Sequence, residues 1–161
     1  MKILFNSKEY PLFSNMWPAP FVRGSIVYKS VEHYYQYHKL HPEEVELREK
    51  VLKTMDPFDA RFYGKKGKGR LRDGFETARN KIMRKGLRSS YLQNPVRLVS
   101  LVKTGNAHLV HHSPWDTYWG VDDEGKGKNM LGILLMELRA EFRDVDPYEA
   151  CREHVNPLYE F

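Results

Sequence analysis

The hydrophobic positions along this chain recur mainly with the spacing of helices. Apolar residues between Leu131 and Phe142 lie three or four positions apart, which predicts an amphipathic helix preceded by a cap at Asn129. Capping residues and first-turn prolines predict further helices near Ser30, His41–Pro42, Asp56–Pro57, Asp73, Asn94–Pro95 and Pro147. The helix after Asp73 is expected to be long, with Asp73 and Glu76 forming a capping box.

Alternating patterns predict only short strands. They fall at Ile3–Phe5 and Leu109–Val110. The segment Phe21–Tyr28 is predicted to form a small hairpin that turns at Arg23–Gly24. No repeat or low-complexity linker divides the 161 residues, so we expect one domain over residues 1–161. The predicted fold class is mainly α with a small β-sheet, and a helical tail follows over residues 147–161.

Composition and charge indicate in which compartment we expect the protein and what class of partner it favours. The 41% hydrophobic content favours an ordered globular domain, and no apolar run reaches the length of a membrane span. The single Cys151 excludes an intrachain disulfide, and the N-terminus lacks the features of a secretory signal, so we expect a cytoplasmic location. The histidine spacing does not fit a metal site, and no cofactor is expected. The net charge of +5 favours a polyanionic or phosphorylated partner.

The segment Ser30–Lys39 carries the first candidate chemistry. In a helix, Glu32, Gln36 and Lys39 stand at positions i, i+4 and i+7 and point nearly the same way. If this stripe faces a pocket, it offers a carboxylate for proton transfer and an amine for nucleophilic attack. The alternative is a solvated face with a weak Glu–Lys pair.

Two loops add polar and aromatic groups. The pair Ser14–Asn15 lies in a proline-flanked loop, where the amide could bind a ligand hydroxyl or instead close an Asx turn. In the segment Ser113–Gly120, two tryptophans and a tyrosine surround Asp116. Flat rings suit stacking on a base or sugar while the carboxylate orients a hydroxyl. The alternative for Trp115 and Trp119 is packing in the core.

Two glycine-rich segments offer groups that bind anions. Residues Gly125–Gly132 precede a helix, so backbone amides with Lys126 or Lys128 could hold a phosphate. The alternative is an ordinary polar loop. The basic tract Lys65–Arg72 suits a diphosphate or a nucleic-acid backbone, and its alternative is a mobile, solvated loop.

Several of these residues form motifs in a fixed order along the chain. The motifs are Phe13-Ser14-Asn15, Ser30-x-Glu32-His33-Tyr34-x-Gln36-x-x-Lys39, Gly105 followed by Leu109-Val110, Asp116-x-Tyr118-Trp119-Gly120, and Gly127-x-Asn129-x-Leu131-Gly132-x-x-Leu135-Met136-x-x-Arg139. Together they resemble the NADAR family, and the resemblance runs from about Phe5 to Phe142. Only the tail after about Asp144 falls outside it.

The resemblance implies an N-glycosidase, which cleaves the bond between a ribose carbon and a nitrogen. It places catalysis on Glu32, Lys39 and Asp116, with no metal or cofactor. The substrate-binding residues that it implies are Phe13, Ser14, Asn15, His33, Gln36, Phe75, Tyr118, Trp119, Gly120, Lys128 and Asn129. Lys39 has two possible roles. It binds phosphate or holds Glu32 by charge, or it attacks C1 of a ring-opened sugar to form a Schiff base.

The substrate class is less constrained, because family members act on ADP-ribosylated nucleobases, notably guanine in DNA, or on phosphoribosylamino-pyrimidine intermediates of riboflavin synthesis. The chain departs from the family at Phe75, where members carry tryptophan, and at His111, where they often carry glutamate. The change at His111, the positive charge and the basic tract favour removal of ADP-ribose from DNA bases, and the riboflavin intermediate is the alternative.

A third hypothesis of a different class is a non-catalytic module that binds ADP-ribose or nucleic acid. The expected partners are an ADP-ribose-type nucleotide and the DNA that carries it, with no membrane and no obligate protein partner.

Overall fold

The computed structural model describes residues 1–65, 68–154 and 158. Its strands are β1 (Lys2–Phe5), β2 (Phe21–Arg23), β3 (Ile26–Tyr28) and β4 (His108–His111). Its helices are α1 (Val31–Lys39), α2 (Val45–Lys53), α3 (Pro57–Tyr63), α4 (Phe75–Gln93), α5 (Pro95–Lys103), α6 (Met130–Glu141) and α7 (Pro147–Arg152). The predicted fold class is confirmed, and the β-structure of these residues forms two separate two-stranded sheets. No helix within the described ranges is both long and apolar enough to cross a membrane.

The described chain divides into two compact units, and the first contains residues 1–14 and 91–154. In this unit β1 and β4 pair in parallel, with Ile3 opposite Leu109. Helix α6 packs closely on β4, since a Cβ added at Gly132 would lie 2.3 Å from the carbonyl oxygen of Leu109. The periodicity predicted for α6 is confirmed by its buried leucines, which are Leu131, Leu134, Leu135 and Leu138.

The second unit contains residues 15–90 and holds the hairpin and the first helices. Strands β2 and β3 pair antiparallel with Phe21 opposite Tyr28, and Gly24 supplies the left-handed conformation at the turn, with φ of +63°. Helices α1, α2 and α3 pack against one another. Their shared apolar core consists of Leu40, Val51 and Ala60, flanked by Tyr37, Leu47 and Tyr63. This packing lays α3 alongside α1.

The helix predicted from His41–Pro42 begins only at Val45, so the predicted start is wrong by one turn. The reason is a distant partner. The amide of His41 donates to the carbonyl oxygen of Arg70 at 2.8 Å, and the side chain of Glu44 accepts from the Arg70 amide at 2.7 Å. These bonds hold residues 41–44 as a turn that joins another segment.

The capping box predicted at Asp73 does not form. The carbonyl oxygen of Gly74 accepts from the amides of Thr77 and Ala78, at 3.2 and 3.1 Å, and α4 begins at Phe75. Gly74 has a φ of +66°, which places Asp73 outside the helical turn. The carboxylate of Asp73 is instead exposed, 3.9 Å from a ring nitrogen of His41.

The other predicted helix starts are confirmed by the bounds of the helices. The predicted cap at Asn129 is wrong in one respect, because Asn129 stands at the N-cap position of α6 but its side chain forms no capping bond, and the same holds for Asn94 at α5. The side chain of Asp56 accepts from the Phe58 amide at 2.8 Å, and α5 ends before Gly105, which has a φ of +57°. Of the predicted tail over 147–161, the structure shows α7, capped by Asp146. Residues 155–157 and 159–161 of that tail lie outside the described residues, as do residues 66 and 67 of the basic tract.

Candidate active site

Glu32 is a buried carboxylate that faces hydrogen-bond donors. The residue is 1% exposed. Its Oε2 accepts from Asn15 Nδ2, and its Oε1 accepts from Gln36 Nε2 at 2.6 Å and from Arg61 Nε at 3.3 Å. All its partners among the described residues are donors, so the ionised carboxylate is the form whose hydrogen bonds are satisfied. Since each oxygen offers two lone pairs, Oε2 keeps one acceptor position open.

The residues around the start of α1 hold Glu32 in place. The side chain of Ser30 caps the helix by accepting from the His33 amide at 3.3 Å. The amide of Glu32 donates to the carbonyl oxygen of Asn15 at 2.9 Å. Asn15 therefore binds Glu32 through both its backbone and its side chain, and the alternative of an Asx turn at this residue is wrong.

Gln36 lies one turn after Glu32, at a close approach between α1 and α3. A Cβ added at Gly64, which ends α3, would lie 2.1 Å from Gln36 Oε1. Only glycine leaves room for the amide here. Gln36 Oε1 is buried and has no hydrogen-bond partner among the described residues. A buried acceptor of this kind is rare and calls for an explanation such as a ligand contact.

Arg61 is the functional candidate that sequence reasoning missed. It forms an ion pair with Glu32 from α3, and its side chain is 46% exposed. The two residues lie 29 positions apart, so no local pattern signals the contact; it depends on how α3 packs against α1. Because the side chain of Arg61 is nearly half exposed, it can turn to solvent and free a second acceptor position on Glu32.

His33 uses both ring nitrogens inside the protein. Nε2 lies 3.1 Å from the carbonyl oxygen of Thr54, and Nδ1 lies 2.8 Å from the hydroxyl of Ser30. Burial lowers the pKa of His33, which favours the neutral ring. The carbonyl requires Nε2 to donate, so Nδ1 accepts from Ser30. A substrate contact from His33 would require one of these bonds to break, and that role stays a prediction.

Lys39 lies at the other end of the same stripe, beside an aromatic ring. Its Nζ is 5.8 Å from the ring centroid of Phe75, which is 7% exposed and packs on Tyr35. The alternative of a solvated face is wrong for Glu32 and Gln36, since both are buried. Lys39 itself is partly buried, and its catalytic role stays a prediction.

Asp116 closes its own turn in the aromatic loop. Its Oδ1 accepts from the amides of Tyr118 and Trp119, at 3.1 and 3.0 Å. Trp119 is 9% exposed and Trp115 is 95% exposed, so the alternative of core packing holds for Trp119 only. The carboxylate therefore has a structural task, and its predicted catalytic role needs the remaining oxygen.

The start of α6 is joined to the aromatic loop by its backbone. Lys128 donates to the Thr117 carbonyl, Asn129 to Gly120, Met130 to Tyr118 and Leu131 to Trp119, at 2.7–3.2 Å. We call segments 116–120 and 127–131 the zipped loops. A Cβ added at Gly127, where φ is +150°, would lie 2.2 Å from the Gly120 carbonyl oxygen, so the loops meet without a side chain between them. The predicted phosphate cradle of backbone amides is wrong, because these amides are already paired.

Two predicted substrate-binding residues lie in the second zipped loop. Lys128 is exposed, with Nζ 5.3 Å from the ring centroid of Tyr118. Asn129 is buried; its Oδ1 accepts from the His111 amide and its Nδ2 donates to the Leu109 carbonyl, both at 2.9 Å. Asn129 therefore joins α6 to β4, and its contact with substrate stays a prediction.

A buried arginine anchors the loop that contains Phe13 and Ser14, which are both buried. Arg97 is 1% exposed and donates to the carbonyl oxygens of Leu12 and Ser14, at 2.8 and 2.9 Å. Its guanidinium also lies over the ring of Tyr91, with Cζ 4.2 Å from the centroid. Arg97 is a second residue that local sequence patterns did not reveal.

The described part of the basic tract is tied into the second unit. The side chain of Arg70 lies 3.4 Å from the carboxylate of Glu43, and Leu71 pairs with Leu40 in an isolated bridge. Lys68 lies over the ring of Phe62, with Nζ 4.2 Å from the centroid. These contacts argue against a loop that is solvated throughout residues 68–72.

The predicted site residues form one group within each unit. The second unit brings together Asn15, Glu32 and Gln36, and also holds His33, Lys39 and Phe75; the first brings together Asp116, Tyr118, Trp119, Gly120, Lys128 and Asn129, and also holds Phe13 and Ser14. Within the described ranges no three acidic, histidine or cysteine side chains are arranged to hold a metal ion.

Comparison with known proteins identifies the family. Residues 4–143 match the NADAR domain, so the chain belongs to this family, and the predicted resemblance is confirmed. N-glycosidase YbiA of Shigella flexneri is 37% identical over 135 residues, which cover 84% of this chain and 83% of the relative. The NMR structure of the Escherichia coli protein YbiA is similar with a TM-score of 0.79 and 35% identity, over 88% of this chain and 86% of that one.

A riboflavin biosynthesis protein of Vibrio vulnificus is 32% identical over 141 residues. These residues cover 88% of this chain and 38% of the relative.

Proposed function

We propose that this protein is an N-glycosidase that hydrolyses a ribose C1–N bond, and that its substrate is an ADP-ribosylated nucleobase of the guanine type in DNA. The single observation that carries the hydrolase assignment is the buried carboxylate of Glu32, held by Asn15, Gln36 and Arg61. Family membership and relatives named N-glycosidases support the reaction class. No cofactor is needed.

The chemistry follows from the charge that develops when the bond breaks. The electron pair of the C1–N bond leaves with the base nitrogen, which takes up a proton, and C1 becomes cationic. An ionised Glu32 stabilises that cation, accepts a proton from the water that attacks C1, and passes this proton to the departing base nitrogen. The open acceptor position on Oε2 suits this water or a ribose hydroxyl. Two fixed amides orient the carboxylate before the substrate arrives.

Lys39 keeps two proposed roles. It holds a substrate phosphate or the charge of Glu32, or it attacks C1 of the ring-opened sugar and forms a Schiff base. Lys39→Arg separates them, because arginine keeps the charge but does not form the imine. Activity retained in K39R supports the electrostatic role. Loss of activity in K39R, together with a borohydride-trapped adduct on Lys39 of the unmodified enzyme, supports the covalent role.

Asp116 is proposed to act through its Oδ2, orienting a sugar hydroxyl or supporting the cationic centre. Its Oδ1 is already bound to two amides of its own loop. Asp116→Asn keeps Oδ1 as an acceptor and removes the charge. The expected result is a loss of kcat with the thermal unfolding temperature preserved.

The substrate choice rests on charge and on one family departure. The net charge of +5 favours a nucleic-acid substrate, and His111 replaces the glutamate that often follows the Leu-Val pair in the family. The His111 ring stacks on Phe5, with centroids 5.2 Å apart, and its Nδ1 lies 3.4 Å from the carbonyl oxygen of Trp119.

The second candidate substrate is a phosphoribosylamino-pyrimidine. The observation that favours it is the similarity to a riboflavin biosynthesis protein over 88% of this chain. A non-catalytic module that binds ADP-ribose or nucleic acid remains the competing class. The buried, donor-oriented Glu32 argues against it, because binding alone does not require a carboxylate held in this way.

One assay separates the three functions. The protein is incubated with an oligonucleotide that carries ADP-ribosylated guanine, and separately with the phosphoribosylamino-pyrimidine, and the products are resolved by chromatography and mass spectrometry. We expect release of ADP-ribose from the oligonucleotide, at least about 100-fold slower in Glu32→Gln. Glu46→Gln is the matched control, since Glu46 is exposed on α2 and its ion-pair partner among the described residues is Lys50.

Turnover of the pyrimidine alone would show that the substrate is the phosphoribosylamino-pyrimidine and not an ADP-ribosylated base. Absence of both products, with ADP-ribose binding measured by calorimetry, would establish the binding module instead.

A further inference from the structure

A cavity of about 360 Å³ in the second unit is lined by positive charge. Four of its lining residues are cations, Arg23, Arg72, Lys81 and Lys85, and no carboxylate is among the described residues that line it. We call these four residues the basic groove. The cavity also contains Tyr34 and His38 of α1.

The basic groove lies on the other side of α1 from Glu32. Tyr34 follows Glu32 by two residues, which rotates its side chain by about 200° around the helix. His38 stands four residues after Tyr34 and continues that face. The groove is therefore a separate site, and none of its cations pairs with Glu32.

The cations are held from three segments of the chain. Arg23, at the end of β2, donates to the hydroxyl of Ser89 at 3.0 Å, and Arg72 donates to the carbonyl oxygen of His38 at 3.4 Å. Lys81 and Lys85 stand one turn apart on α4, and both are exposed. Neither lysine forms an ion pair with any described residue. Like charges that cluster without a counter-charge among the described residues favour the binding of an anion.

His38 is neutral, as expected for a partly buried histidine surrounded by cations. Burial, followed by the charges of Arg48, Arg72, Arg23 and Lys85, lowers the pKa of His38 to about 4. The ring is neutral at pH 7, and its Nε2 lies 3.1 Å from the hydroxyl of Tyr28. It adds no charge of its own to the groove at that pH.

The basic groove carries more positive charge than a single phosphate needs. Its four cations come from β2, from the segment before α4 and from two successive turns of α4. An arrangement of four cations suits more than one phosphate of a strand.

We propose that the basic groove binds the phosphodiester backbone of a nucleic-acid strand, apart from the site at Glu32. The inference rests on the proposed function for the choice of polyanion, because a DNA substrate needs a surface that holds its backbone. Phosphate contacts of this kind are independent of sequence and strongly dependent on salt.

The test measures binding without turnover. A fluorescein-labelled, unmodified 20-nucleotide strand and its duplex are titrated with the full chain at salt concentrations from 25 to 200 mM, and anisotropy gives the affinity. Four phosphate contacts predict a slope of about −3 to −4 in log K against log salt. In the double variant Lys81→Gln, Lys85→Gln, we expect the slope to become shallower by about 1.5–2 and the affinity at 50 mM salt to fall at least about tenfold.

The matched control is Lys50→Gln, Lys53→Gln, which removes the same charge from exposed positions of α2. It should leave the slope unchanged. Equal losses in both double variants, or no loss in the groove variant, would overturn the proposal, as would binding of pyrophosphate without binding of either oligonucleotide. The assay uses unmodified strands, so its failure is distinguishable from failure of the N-glycosidase assay.

Discussion

Replacing Glu32 with glutamine and with alanine separates the chemistry of this carboxylate from its structural role. Glutamine keeps the shape of the side chain. Its Oε1 can still accept from Gln36 and Arg61. Its Nε2 then lies next to Asn15, whose side-chain amide can flip so that its oxygen accepts from this nitrogen. We therefore expect Glu32→Gln to change the free energy of unfolding by less than about 1 kcal/mol.

Alanine instead removes the acceptors. The Nε2 of Gln36 loses its acceptor, and the Nδ2 of Asn15 keeps only the weak thioether acceptor of Met16, at 4.0 Å, among the described residues. Arg61 can turn to solvent. Each buried donor left without an acceptor costs about 1–3 kcal/mol, so Glu32→Ala should lose about 2–6 kcal/mol. At about 2–4 °C per kcal/mol for a chain of this size, the unfolding temperature should fall by at least about 4 °C.

Differential scanning fluorimetry and the oligonucleotide assay measure the two effects on the same preparations. The expected pattern is a stable but inactive E32Q and an unstable, inactive E32A. An E32Q that unfolds as early as E32A would refute the hydrogen-bond reasoning. An E32Q with the activity of the unmodified protein would refute the catalytic assignment.

Three further predictions test other features. Gly64→Ala should lower the free energy of unfolding by about 1–3 kcal/mol and lower kcat, because the added Cβ would overlap the side chain of Gln36. Unchanged stability in denaturant unfolding would contradict the close approach of Gly64 to Gln36. Because the pKa of His38 falls to about 4 in the folded protein, unfolded chains bind the proton more readily, and stability should decline as the pH drops from about 6.5 towards 4. His38→Gln should flatten that decline in thermal scans. Arg97→Lys should cost about 2–4 kcal/mol in urea unfolding, since lysine cannot reach both carbonyls in the same fork, and a cost below 1 kcal/mol would show that the anchor is dispensable.

Features decided within one or two helical turns could be predicted from the sequence. The cap at Ser30 needs only the next residues, and the Glu32–Gln36 contact follows from the four-residue spacing of a helix. The same local logic applies to Asp116, whose bonds to the next two or three amides are typical of an aspartate at a turn. The sequence analysis nonetheless predicts only a substrate contact for that carboxylate.

Features that depend on distant packing could not be predicted in this way. Arg61 meets Glu32 only because α3 lies against α1. The late start of α2 depends on Arg70, which is 26 residues beyond Glu44. The predicted phosphate cradle is wrong for the same reason. The carbonyl partners of its amides lie in residues 117–120, and hydrophobic periodicity does not predict the position of that loop.

The zipped loops bear on how relatives of this protein can diverge. Four backbone hydrogen bonds join residues 117–120 to residues 128–131, and two of them tie Tyr118 and Trp119 to the first turn of α6. Gly127 leaves no room for a larger residue where the two segments meet. Insertions and deletions within either of the zipped loops are therefore poorly tolerated. Insertions and deletions should concentrate in the turn at 122–126 between them, and evolutionary change in the aromatic loop should proceed by exchange of side chains on a conserved backbone path.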